Sequence, residues 1–93
     1  MGIEAVRELT RNSQQRAVED AFARYTREYE QTPRSTLLER LSYLKNVAAL
    51  RERAVTALVR KGLVMDAQSS LFEAARAHAE LRAAEAALEH APA

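Results

Sequence analysis

Ninety-three residues, 47% of them hydrophobic and 29% charged, make one domain at most. A net charge of +1 gives no bias toward a polyanionic partner, and the absence of cysteine excludes a disulfide framework and thiolate chemistry. Nineteen of the hydrophobic residues are alanine, which adds little apolar area, so the expected core is thin for so short a chain.

Two glycines and two prolines punctuate the chain, and the stretches between them are built from strong helix formers. Three helices are expected, over about 12–31, 33–61 and 67–90, with residues 1–11 frayed or in a short extra helix and 91–93 frayed. The polar run "TRNSQQR" marks the expected break, with Asn12 as N-cap. In the first helix Val18, Ala21, Phe22, Tyr25 and Tyr29 recur at close to 3.6 residues and read as a core stripe. Leu9 would fall on the opposite side of a continuous helix.

Thr32 reads as the N-cap of the second helix and Pro33 as its first helical residue. Leu37, Leu41, Leu44, Ala48, Val55 and Val59 form one face, flanked by Tyr43, Leu50, Ala54 and Ala57. Together they cover more than half the circumference, which predicts a central helix packed on two sides. Arg40 and Arg51 fall inside that arc, where an arginine normally packs its stem and pairs its head.

Between the second and third helices lies "LVRKGLVMDAQS". Gly62 fits the left-handed residue that ends a helix, with Leu63 and Leu58 as the paired apolar residues of a Schellman motif. Asp66 reads as the next N-cap. A phosphate loop would need a longer glycine-rich turn with lysine after the last glycine. In a helix-turn-helix the third helix would be the reader, and from Asp66 it carries five acidic against two basic residues, which phosphate would repel.

The third helix carries two apolar rows. One is Ala74, Ala77, Leu81, Ala84 and Leu88; the other is Phe72, Ala75, Ala79, Ala83 and Ala86. Two rows imply two neighbours: the second helix, and either the first helix or another chain. Residues 50–91, "LRERAVTALVRKGLVMDAQSSLFEAARAHAELRAAEAALEHA", resemble helical hairpins of several unrelated families, among them secretion co-chaperones, periplasmic adaptor hairpins and phage DNA-packaging subunits. The resemblance covers about half the chain. It implies an antiparallel hairpin and assigns no functional residue.

No catalytic or metal-binding constellation emerges. His78 and His90 lack a metal spacing, and no serine sits in a nucleophile elbow. Acidic residues and arginines one turn apart suit helical pairs: Arg16–Asp20, Asp20–Arg24, Arg24–Glu28 and Arg76–Glu80. No apolar run approaches the roughly 20 residues that span a bilayer. The N-terminus lacks a signal-peptide pattern, and Val6 breaks the myristoylation motif.

These features predict an all-α domain over residues 1–93: an antiparallel, coiled-coil-like hairpin with an N-terminal helix packed on it. The expected function is non-enzymatic protein–protein interaction, as a cytoplasmic adaptor, co-chaperone or assembly factor. It needs no cofactor, metal, membrane or small-molecule substrate. Self-association as a homodimer is expected through Phe72, Ala75, Ala79 and Ala83 or through Tyr25 and Tyr29. Residues 33–62 carry seven basic and two acidic groups. The alternative is therefore a small DNA-associated regulator or packaging factor of phage or plasmid type, with Lys45, Arg53, Arg60 and Lys61 as contacts.

Overall fold

A computed structural model of the protein describes residues 2–91, with side chains at Ala5 and from Arg11 onward. Helix α1 runs Ile3–Glu30, α2 Arg34–Arg60 and α3 Val64–His90. The fold is all-α, with α2 and α3 packed together and α1 packed on α3. The expected break near Asn12 is absent, and α1 is continuous. Arg11, Asn12, Ser13, Gln15 and Arg16 are all exposed, so their polarity costs the helix nothing. Leu9's side chain and residues 1, 92 and 93 lie outside the described residues.

The α2–α3 pairing follows a heptad seam. On α2, Leu37, Leu41, Leu44, Ala48, Arg51, Val55 and Leu58 step by four and three residues, and all are buried or half-buried. On α3, Ala67, Ser70, Ala74, Ala77, Leu81, Ala84 and Leu88 do the same. A sustained period of 3.5 keeps both seams in register, as in a coiled coil. Val59 leaves the seam at 60% exposed and Leu58 takes its place. Leu37 and Leu44 are the largest fully buried side chains.

The second row of α3 meets α1. Ala79 and Ala83 are 3% and 0% exposed. The α1 stripe faces them, with Ala21 buried and Val18, Tyr25 and Tyr29 half-buried. At 100° per residue the two rows of α3 lie on roughly opposite sides of the helix. Its two neighbours therefore flank it in one layer, α1 on one side and α2 on the other. The Cα extents are 52 × 30 × 13 Å.

The expectation that α2 is central is thus corrected: α3 is. The outer side of α2 does hold apolar residues, but charges interrupt them, and Leu38, Tyr43 and Leu50 stay 49–61% exposed. The alanines of α3 let a backbone come close on each side, which the bulky second face of α2 does not.

Both turns are tight. Gly62 has φ 78°. The Leu63 N–H donates to the Leu58 carbonyl and the Gly62 N–H to the Val59 carbonyl, each at 3.0 Å. These are the two bonds of a Schellman motif. Helix α3 begins three residues earlier than expected, so Leu63 occupies the N-cap and Asp66 the first turn. There its carboxylate still meets the positive end of the helix dipole. At the other turn the N-cap is Pro33, not Thr32. The Thr32 hydroxyl donates back to the Glu28 carbonyl of α1 at 3.1 Å. Among the described residues no helix is long and apolar enough to cross a membrane.

Candidate interaction surfaces

A one-layer fold has two broad faces, and side chains three and four residues apart on α3 divide between them. Glu73, Arg76 and Glu80 point to one face. Leu71, Ala75, His78 and Arg82 point to the other.

The first face holds a polar junction that joins all three helices. Glu80 of α3 is 8% exposed. Its Oε1 accepts from the Tyr29 hydroxyl of α1 at 2.5 Å and from Arg40 Nη2 of α2 at 2.9 Å. Arg40 Nε also donates to the Tyr29 oxygen at 3.2 Å, and its guanidinium lies 5.0 Å from the centre of the Tyr43 ring. Tyr25 stacks on Tyr29 with ring centres 6.0 Å apart. Burial, and then the Glu80 carboxylate that accepts its proton bond, push the Tyr29 phenol up to about 12. The bonds to Tyr29 and Glu80 raise Arg40 above its ordinary value, so it is a permanent charge.

Arg51 pairs with Glu73 at 2.7 Å, so both arginines inside the α2 arc have paired heads. Of the expected pairs along single helices, Arg24–Glu28 forms at 3.5 Å. Arg16–Asp20, Asp20–Arg24 and Arg76–Glu80 do not form among the described residues. Glu80 turns to Arg40 because the neighbouring helix supplies a guanidinium next to a phenol. No pattern within α3 alone could reveal that partner. Tyr25, Tyr43, Leu44, Val47 and Arg76 complete a shallow groove of about 350 Å³ around these groups.

The opposite face carries an open groove between α1 and α3. Val18, Glu19 and Phe22 line it from α1 and Ala75, Ala79 and Arg82 from α3, with a volume of about 800 Å³. Phe22 is 39% exposed. His78 borders this groove and shares a 2.7 Å contact with Glu52 of α2. Leu71, one turn before Ala75, adds an apolar side chain that is 57% exposed.

The residues expected to form a self-interface are distributed differently. Ala79 and Ala83 are covered inside the chain, so that row is not free for a second copy. Tyr29 is engaged with Glu80 and Arg40. Phe72 and Ala75 are half-buried. The side chain that does remain open is Phe22, one position from the centre of the α1 stripe. A 100° step per residue puts it at the stripe's edge, which is the signal that could have identified it.

Lys45, Arg53, Arg60 and Lys61 are exposed, and none enters an ion pair among the described residues. Arg53 and Arg60 line one shallow depression with Ala49, Glu52, Thr56 and Ala57. Lys45 lies nearer the N-terminal half of α2, and Lys61 caps the helix at the turn. The structure thus brings together two of the four. No three His, Asp or Glu side chains converge into a metal-binding group among the described residues. Comparison with family models, with curated proteins and with solved structures returned no match.

Proposed function

We propose that the protein is a non-enzymatic protein–protein interaction module: a small helical adaptor, co-chaperone or assembly factor that pairs with itself and works in the cytoplasm. One observation carries this reading. The chain exposes 7115 Å², whereas a compact monomer of 10.4 kDa exposes about 5,400 Å² on the usual size scaling. The surplus is about as large as the total surface that a standard protein–protein interface removes from water. It follows from the one-layer arrangement, since stable domains usually stack at least two layers around a core. Light scattering and analytical ultracentrifugation at micromolar concentration test it. The expected result is a mass above that of one chain. A strictly monomeric protein that also captures no protein partner would refute the reading.

The exposed, unpaired Arg53 and Arg60 favour a second reading, a DNA-associated regulator or packaging factor. In that case the doubly substituted Arg53→Gln, Arg60→Gln protein should bind duplex DNA more weakly. Its salt dependence should flatten by about 0.9 in logarithmic slope per lost phosphate contact. No binding by the unsubstituted protein at low salt would remove this reading.

A further inference from the structure

We propose that the α2–α3 hairpin tip is a peripheral membrane anchor, which dips apolar side chains into a bilayer that carries anionic headgroups. This goes beyond the interaction reading above and stands or falls separately from it. It departs from the expectation that no membrane takes part. The contact is interfacial and needs no spanning helix.

Val59, Leu63, Val64 and Met65 are 60, 45, 62 and 86% exposed, and all four lie within seven residues around the Gly62 turn. Val64 and Met65 are consecutive helical residues, so their side chains leave α3 about 100° apart. Val59 leaves from α2 and Leu63 from the turn. A groove or a flat partner surface reaches one side of such a tip. A fluid apolar phase reaches every side.

The tip carries its own cations. Arg60 and Lys61 directly precede Gly62, and Arg53 lies one heptad before Arg60 on the edge of α2 opposite the seam with α3. All three are exposed, and none enters an ion pair among the described residues. From Arg53 to Phe72 the only carboxylate is Asp66, in the first turn of α3, where the helix dipole offsets its charge. Glu52 is engaged with His78. Cations beside exposed apolar side chains suit an anionic interface, where the stems bury and the heads stay among phosphates. They disfavour a second copy at this place, because a two-fold contact between tips would put like charges together. Duplex DNA would use the cations but gives Val64 and Met65 no role.

The shape lets these groups reach one plane. Tyr29 of α1 bonds Glu80 of α3 and the two helices run parallel. Helix α1 therefore starts about ten residues, or about 15 Å, before the level at which α3 begins. It runs past the tip on the side of α3 away from α2. With neighbouring helices 8–10 Å apart, a plane resting on the start of α1 and on the tip lies so that the helix axes tilt by roughly 40° from its normal. The same tilt turns the outer edge of α2, with Arg53 and Arg60, down toward that plane.

The chain holds no tryptophan, so Met65→Trp places a single reporter at the tip. Its emission would be read with vesicles of phosphatidylcholine alone and of phosphatidylcholine mixed with phosphatidylserine. The expected result is a blue shift with the anionic vesicles, and quenching by lipid brominated on its acyl chains. Leu38→Trp, at an exposed apolar site toward the other end of α2, should show neither. Flotation would measure affinity. Arg60→Gln with Lys61→Gln should weaken it by about twentyfold, at about fivefold per cation, and added salt should weaken the parent. Val64→Ser with Met65→Ser should weaken it by at least about tenfold, with circular dichroism unchanged because both side chains lie outside the core.

A parent that fails to float with anionic vesicles at low salt would overturn the proposal. So would a serine pair that binds as tightly as the parent, since the contact would then be purely electrostatic. Equal shifts at both reporters would overturn the tip as the point of contact. A tip reporter that shifts with protein concentration and no lipid would assign the tip to a second copy instead. The mass of the chain in solution decides the interaction reading independently of all four outcomes.

Discussion

At Gly62 the backbone turns with φ 78° and nothing lies within 4 Å of where a Cβ would stand. The demand for glycine is therefore conformational and not steric. Gly62→Ala should destabilise by about 1 kcal/mol, the cost of a left-handed residue with a side chain. It should show as a lower urea midpoint with an unchanged slope. At Tyr29 the fold favours the neutral phenol, because ionisation would put a second negative charge beside Glu80 in a partly desolvated place. An unfolded tyrosine titrates near 10 and this one at about 12. Below pH 10 both states hold the proton and the contribution is complete. Between about 10 and about 12 only the folded state holds it, so stability falls as pH rises through that window. Melting profiles of the parent and Tyr29→Phe should diverge at neutral pH and converge toward pH 12. Parallel profiles throughout would show that the phenol carries no linkage.

Between elements, two kinds of packing hold α3 in place. The α2 seam uses leucines, so removing one should leave a cavity. Leu44→Ala, at a position 2% exposed, should cost about 2–5 kcal/mol in denaturant unfolding. The α1 contact uses alanines, so adding volume should force the helices apart. Ala79→Leu should destabilise by about 1–3 kcal/mol, although it replaces one apolar residue with a larger one. If it stabilised instead, α1 would not be closely apposed at that point. The Glu80 junction sits where these two packings meet near the C-terminal end of α1, and it fixes the α1 register relative to the hairpin.

For the whole molecule, shape is the dominant fact. The radius of gyration is 15.7 Å, against about 12 Å for a compact chain of this length. Three helices side by side bury the two sides of α3 but leave both faces of the layer in water. Hydrophobic burial grows with each added layer, so pairing two slabs supplies what one lacks. Melting temperature should therefore rise with protein concentration, as mass action requires when association is linked to folding. A calorimetric series over two decades of concentration would measure it. An invariant melting temperature would mean that the single layer suffices.

The helices themselves and the Schellman turn could be read from the chain because each depends on neighbours within a few residues, and the place of Arg40 and Arg51 inside an apolar arc announced paired heads without naming partners 40 and 22 residues away. Propensity, a left-handed glycine and an arginine inside an apolar arc are local statements. The two alanine rows of α3 also carried a true message, that this helix has two neighbours. Three things were decided only in three dimensions. Helix α3 became the middle of the layer because close approach favours alanine on both its sides, whereas counting apolar arc gives weight to bulk and points to α2. The polar run at residues 10–16 stayed helical because solvent accepts polar side chains on a helix as readily as on a loop. Glu80 found Arg40 and Tyr29 because tertiary packing delivered two donors from other helices to a carboxylate that its own helix would have paired with Arg76. Local energies set the elements; which surfaces met, and which were left open, depended on contacts between residues far apart in the chain.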